Sequence, residues 1–192
     1  MDKETDKANE NVLPQEKKNS FLKEFIIPLV IGLIVVYLLR FFVFGLYYVP
    51  SGSMIPNLEI NDHVFATKFS YQIHDPERYD IIVFNYPIEY KENKKEVRYV
   101  KRLMGLPNET IEIRNNKIYI NGKVIDDPFR ASDTDMSDFG PITIGENEFF
   151  MMGDNRNHSN DSRFWGTVPR DLLIGKVQMI YWPIGRIGSM NK

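Results

Sequence analysis

The chain has 192 residues, no cysteine and a formal net charge of −2 at pH 7. At 43% hydrophobic and 26% charged, it is neither disordered nor collagen-like, and its length suits one ordinary domain with an added segment. Without cysteine there can be no disulfide, thiolate metal site or cysteine nucleophile, and the charge balance gives no electrostatic reason to expect a nucleic-acid partner.

The first 22 residues, ending "QEKKNSFL", are polar and mixed in charge and read as a solvated tail. From Phe25 the chain turns apolar: "FIIPLVIGLIVVYLLRFFVFGLYYVP". The run from Phe25 to Leu39 is uncharged and short of the roughly 20 helical residues that a bilayer core takes. With Arg40 snorkelling and the following aromatic residues included, the length suffices, and residues 23–46 are expected to form one transmembrane anchor. A cleaved signal peptide would have a shorter core and small residues at a cut site, whereas Phe, Tyr and Pro follow here. A buried core helix would show a polar face. Lys3, Lys7, Lys17, Lys18 and Lys23 precede the segment, and after Arg40 the next basic residue is Lys68. That asymmetry predicts a cytoplasmic N-terminus and an extracytoplasmic domain over residues 47–192.

Beyond residue 60 apolar residues alternate or form short runs between turn residues, the pattern of strands. The candidates are "HVFATKF", "DIIVFNY", "EVRYVKRLM", "TIEIR", "KIYIN", "KVI", "ITI", "NEFFMMG" and "GKVQMIYW". "RNNK" and "NGK" mark tight hairpins, since Asn and Gly accept positive φ. The fold class expected is mostly β, an antiparallel domain behind one N-terminal helix. Residues 126–141 read as a polar surface loop.

Three stretches carry candidate chemistry. In "EVRYVKRLMG", Val97, Tyr99, Lys101 and Leu103 share one face of the strand. That face is the more apolar, so Lys101 points inward and Arg98 and Arg102 fall on the other side. An inward lysine either loses its proton readily and serves as a base, or snorkels to water; both readings remain open at this point. In "YVPSGSMIPNL", Ser51 and Ser53 are either ordinary turn vocabulary or a nucleophile with a neighbouring hydroxyl donor. In "GDNRNHSNDSRFWG" (153–166), Asp161 and Arg163 can pair and shape a loop. The oxygen spacing of a calcium loop is broken there by Arg156 and His158.

These stretches, in this order behind an apolar N-terminal segment, resemble the type I signal peptidases, most closely the small single-anchor enzymes of Gram-positive bacteria. "PSGSM-x-P", "DHVFATK", "RYDIIVF", "YVKRLMGLP" and "GDNRNHSNDSR" carry the resemblance. It implies a serine endopeptidase with a Ser–Lys dyad that removes signal peptides from exported preproteins. By position, Ser53 is the nucleophile and Lys101 the general base. Ser51 and the Ser53 N–H form the oxyanion hole, Ser159 orients the lysine, and Asp161 with Arg163 supports the site. No metal or cofactor is implied. The expected partners are membrane lipid and preproteins with small residues at the first and third positions before the cut. Phe41, Phe42, Phe44, Tyr47 and Tyr48 would hold the site at membrane level.

Asn57, Tyr79, Asn108 with Glu109, and His158 depart from the family's usual residues. Three rival readings account for less of the sequence. A Ser-His-Asp hydrolase lacks its G-x-S-x-G elbow around Ser53, leaving His158 beside Asp161 as its base. A soluble or self-cleaving peptidase with the same dyad does not explain the apolar segment. A catalytically inactive, anchored peptide-binding module does not explain an intact Ser53 and Lys101.

Overall fold

A computed structural model describes residues 21–190, with no side chain described at 38–42, 72 and 73. The chain divides into two compact units after Phe41. In the first, a π-helical turn, Leu22–Ile26, leads into helix α1, Ile27–Phe42. No helix among the described residues is long and apolar enough to cross a membrane. The apolar side chains of α1 and the turn before it, among them Phe25, Leu29, Leu33 and Val36, are exposed. The tail before residue 21, and the side chains of Arg40, Phe41 and Phe42, lie outside the described residues.

The helical segment ends earlier than its apolar composition suggests. Phe44–Tyr48 is strand β1, so residues 44–46 are not part of a helix that continues to residue 46. The reason is pairing: β1 lies antiparallel to β2, His63–Thr67, in register from Phe44 opposite Thr67 to Tyr48 opposite His63. Ladder hydrogen bonds to a neighbour thus replace a helix's internal ones. Phe44 packs on Phe65, and Tyr48 donates a hydrogen bond to Asn61 Oδ1 at 2.6 Å.

The remaining strands are β3 (Ile81–Asn85), β4 (Arg98–Gly105), β5 (Thr110–Arg114), β6 (Lys117–Ile120), β7 (Lys123–Val124), β8 (Phe139–Thr143), β9 (Glu148–Met152), β10 (Val168–Pro169), β11 (Leu173–Trp182) and β12 (Gly188–Ser189). The larger sheet runs β1-β2-β11-β3-β4-β9-β10, with β12 also on β11. The smaller runs β7-β6-β5-β8. Every pairing is antiparallel. The two predicted hairpins are present. Asn115 and Asn116 (φ 50° and 60°) join β5 to β6, and Asn121 and Gly122 (φ 50° and 76°) join β6 to β7. Two successive positive φ values are what a two-residue hairpin loop needs to match strand twist.

The centre of the large sheet is covered on both faces. Val83 and Val100 pack with Met54, Leu58 and Val177 in one cluster. Ile82, Phe84 and Leu103 pack with Phe149, Met151 and Leu172 in another. Alternation along β4 therefore fails to separate an inside from an outside. Arg102, placed by alternation on the less apolar face, is 2% exposed. Its guanidinium clamps Asp154 in a two-pronged pair, Nε to Oδ1 at 2.7 Å and Nη2 to Oδ2 at 2.6 Å. Its Nη1 donates to the Tyr79 carbonyl at 2.8 Å, and Asn57 Nδ2 reaches Asp154 Oδ2 at 2.8 Å.

Removing one member of such a pair strands a buried charge. Asp154→Ala should lower the unfolding free energy by about 3–5 kcal/mol, and the apolar double variant Arg102→Met, Asp154→Leu should recover most of that loss. Urea unfolding of the full chain in mild detergent reads this by tryptophan fluorescence, since Trp165 and Trp182 both lie in the β unit. A double variant as unstable as Asp154→Ala would contradict the charge-stranding account.

Candidate active site

The serine turn is bolted to the large sheet before any chemistry is considered. Ser51 is extended (φ −134°, ψ 155°), and Gly52–Met54 forms one 3-10 turn. Met54 and Leu58 are buried in the sheet's core. At the base of the segment Val49 N donates to the Asp62 carbonyl and Asn61 N to the Val49 carbonyl. Asp62 itself is buried and paired with Arg186, Nε to Oδ1 at 2.9 Å and Nη2 to Oδ2 at 3.0 Å. From the other side Asn155 clamps the turn. Its N–H donates to the Ser53 carbonyl and its Nδ2 to the Gly52 carbonyl, both at 3.1 Å.

Lys101 meets this turn from β4. Its Cα lies opposite Ile82 of β3. Its Nζ is 2.7 Å from Ser53 Oγ and donates to its neighbour's carbonyl, Val100 O, at 3.2 Å. The residue is 4% exposed, which excludes the snorkelling alternative. Burial lowers its pKa from the ordinary 10.5 to about 8, while the carboxylates of Asp161 and Asp154 pull the other way. A neutral amine is thus accessible at mildly alkaline pH, within proton-transfer distance of a hydroxyl. Ser51 Oγ lies 3.4 Å from Ser53 Oγ.

The loop after β9 completes the site. Asp161 is fully buried and accepts two hydrogen bonds from Arg163, Nε to Oδ1 at 2.8 Å and Nη2 to Oδ2 at 2.9 Å. Its Oδ2 also accepts from Gly153 N at 3.0 Å. Arg163 reaches back to the Arg156 carbonyl at 2.7 Å. Arg156, buried, donates to the Gly153 carbonyl and pairs with Asp127 from the polar connection after β7. Gly153 is where the loop touches the serine turn: a Cβ there would sit 2.2 Å from Ser159 Oγ and 2.4 Å from the Ser53 carbonyl oxygen. Only a residue without a side chain permits that approach.

Ser159 does not make the expected bond. The Lys101 amine bonds to Ser53 and to the Val100 carbonyl, and the buried Ser159 hydroxyl has no hydrogen-bond partner among the described residues. His158 is exposed and holds Asn155 Oδ1 through Nδ1 at 3.2 Å, which leaves it a wall residue rather than a base paired with Asp161. Sequence reading assigned no role to Gly153, Asp154, Asn155 or Arg156. All four lie within the quoted loop, yet their partners come from three other segments, and spacing carries no trace of those contacts. Two of the departures from family pattern sit at positive φ, Tyr79 at 75° and Asn108 at 64°. Asn accepts that region. Tyr79 is held there by a hydrogen bond from its hydroxyl to the Asp126 carbonyl at 2.7 Å and by packing on Phe129.

The site opens into a cleft of about 710 Å³. One wall is β1 and the serine turn, the other the first half of β4, with Asn155, His158 and Asn160 at the end. Both strand walls have a free edge. β1 ends its sheet, and β9 takes up pairing with β4 only from Arg102 onward. Among the described residues no group of three or more His, Asp or Glu side chains converges on a metal-sized site.

The depressed lysine links site to stability. Its folded pKa lies below the unfolded one, so it disfavours folding below about 10.5, and the penalty grows as pH falls to about 8 and then levels off. It amounts to about 3 kcal/mol at neutral pH. Lys101→Met should recover that amount, less about 1–3 kcal/mol for the hydrogen bond lost by Ser53. Fluorescence-monitored unfolding of both proteins from pH 6 to 10.5 tests this. The stability of Lys101→Met relative to wild type should decline through the upper part of that range. A constant difference would mean the amine keeps its ordinary pKa.

Residues 22–182 match the family model described as "Signal peptidase, peptidase S26". A probable signal peptidase I-2 of Synechocystis is 37% identical over 153 residues, covering 80% of this chain and 70% of its own. Signal peptidase I of Leptolyngbya laminosa is 36% identical over 92% of this chain and 88% of its own, and signal peptidase I S of Bacillus subtilis 34% over 95% and 99%. A crystal structure of a signal peptidase I from Enterococcus faecalis V583 aligns with 54% of this chain and 97% of its own, at 33% identity and a TM-score of 0.46. A lysine amine against the second serine of "PSGSM", and a match through nearly all of the described chain, lead to one conclusion: this protein belongs to the signal peptidase family, peptidase S26.

Proposed function

We propose that the chain is a membrane-anchored serine endopeptidase that removes N-terminal signal peptides from exported preproteins. The observation that carries the reading is the 2.7 Å approach of Lys101 Nζ to Ser53 Oγ at the floor of an open cleft, with burial lowering the lysine pKa to about 8. The neutral amine takes the Ser53 proton as Oγ attacks the scissile carbonyl carbon. The oxyanion accepts hydrogen bonds from the Ser53 N–H and the Ser51 hydroxyl. The ammonium then gives its proton to the departing amine, leaving an ester on Ser53. Water, deprotonated by the same lysine, cleaves that ester and restores the hydroxyl. Asp161 and Arg163 hold the loop that lies against the serine turn.

The substrate lies extended. A peptide entering between the free edges of β1 and β4 can pair its backbone with both, so affinity comes from main-chain hydrogen bonds. Small side chains at the first and third positions before the cut fit walls formed by residues such as Val49, Val83 and Val100. The anchor is assigned to the N-terminal helical segment. The π turn and α1 run without interruption from Leu22 to Phe42, about 30 Å of helix. Between Phe25 and Tyr37 it carries no charged side chain, and nearly all of its large apolar side chains are exposed, the pattern of a surface meant for lipid. The lysine-bearing tail stays in the cytoplasm and the β unit outside.

Ser53→Ala should abolish cleavage of a synthetic preprotein peptide, with the cut site read by mass; substantial turnover by that variant would sink the dyad assignment. Ser51→Ala should lose about 100- to 1000-fold in kcat. The wild-type rate should rise with pH through about 8, and a rate that appears only near pH 10 would deny Lys101 its role as base. In bacterial protoplasts added protease should digest the β unit and spare the tail. Protection of the β unit instead would reverse the orientation.

A further inference from the structure

The ionisable lining of the cleft is one-sided. Arg98, Lys101 and His158 face it, and no carboxylate does. Lys101 is committed to Ser53 and His158 to Asn155. Arg98 has weaker attachments. Its guanidinium lies over the ring of Tyr47 across the cleft, 5.7 Å from the centroid, and meets Glu96 at 3.3 Å, where both side chains are more than half exposed. An exposed pair of this kind is easily exchanged for another carboxylate. Arg98 stands on the free-edged half of β4, three residues and roughly 10 Å along the strand before Lys101, whose amine meets Ser53. An extended substrate covers that distance in about three residues.

We infer that Arg98 is a specificity-determining residue that favours an acidic over a basic substrate side chain about two to five residues from the cut, on the side running along β1 and β4. The inference rests on the peptidase reading above. A substrate carboxylate replaces Glu96 as the partner of Arg98, while a substrate lysine is repelled by it. The Tyr47 ring keeps the guanidinium at the wall by contact with its face.

The test uses the full chain in mild detergent and a parent peptide with small residues at the first and third positions before its cut. Each other position within five residues of the cut is made Asp, Asn or Lys in turn, and kcat/KM is measured at low and at high salt. Wild type should prefer Asp to Lys at one such position by about tenfold at low salt, from one attraction gained and one repulsion avoided. Because the charges are exposed, that ratio should shrink toward one in 1 M salt. Arg98→Gln should bring the ratio at that position close to one, and Arg98→Lys should restore it. A ratio near one at every position in wild type, or an undiminished ratio in Arg98→Gln, overturns the inference while leaving the peptidase reading intact. Should Arg98→Gln cut nothing, Arg98→Lys decides: a retained preference supports the inference and a ratio near one overturns it. A wild-type chain that cuts none of the peptides removes the peptidase reading and this inference with it.

Discussion

The lysine amine lies 2.7 Å from Ser53 on a sheet that apolar side chains cover on both faces. Water around the amine would lift its pKa from about 8 back toward the ordinary lysine value. The architecture of the β unit supplies the desolvation. Two apolar clusters sandwich β3 and β4, and the serine turn is pressed onto the same region by Met54 and Leu58. Desolvation is costly, so the site also needs stiffness: an amine free to swing out to solvent would do so.

That stiffness comes from buried charge arranged in closed pairs. Arg102 with Asp154, Arg163 with Asp161, and Arg156 with Asp127 each satisfy the other's hydrogen-bonding capacity. The first and the third also join segments far apart in sequence. Asp154 is shared with Asn57 of the serine segment, so one carboxylate ties that segment, β4 and the loop after β9 together. Arg156 carries the connection on to the polar segment between the small sheet's strands. The small sheet thus takes part in holding the loop that meets the serine turn. Pairs of this kind add little net stability over apolar packing, but a loop held by them has few alternative arrangements.

The edges left unpaired matter as much as the core. Edge strands are normally blunted to avoid unwanted pairing. Here, among the described residues, β1 and the first half of β4 keep open edges, and both line the cleft that holds Ser53 and Lys101. The aromatic residues after α1 therefore have a different place from the one their composition suggests: Phe44, Tyr47 and Tyr48 belong to a strand, not to the end of a helix, and the two tyrosines line the cleft.

By itself the sequence determined the local facts. Alternation marked most of the strands, and the Asn-Asn and Asn-Gly pairs marked two hairpins, because both depend only on the preferences of adjacent residues. It also placed Lys101 inward and singled out Ser51, Ser53, Asp161 and Arg163, because an inward lysine, a Gly-flanked serine and a near-neighbour acid–base pair are local signals. The short strands β10 and β12 left no such signal, and β1 was hidden inside an apolar run whose composition suits helix and strand alike. Tertiary structure decided the rest. It showed that β4 is buried on both faces, so that Arg102 is as enclosed as Lys101. It gave Asn57, Asp154, Asn155 and Arg156 their partners, and it left the Ser159 hydroxyl without the lysine bond its position implied. A side chain's partner across 50 or 100 residues is fixed by how sheets stack and loops close, and no period in the sequence encodes that.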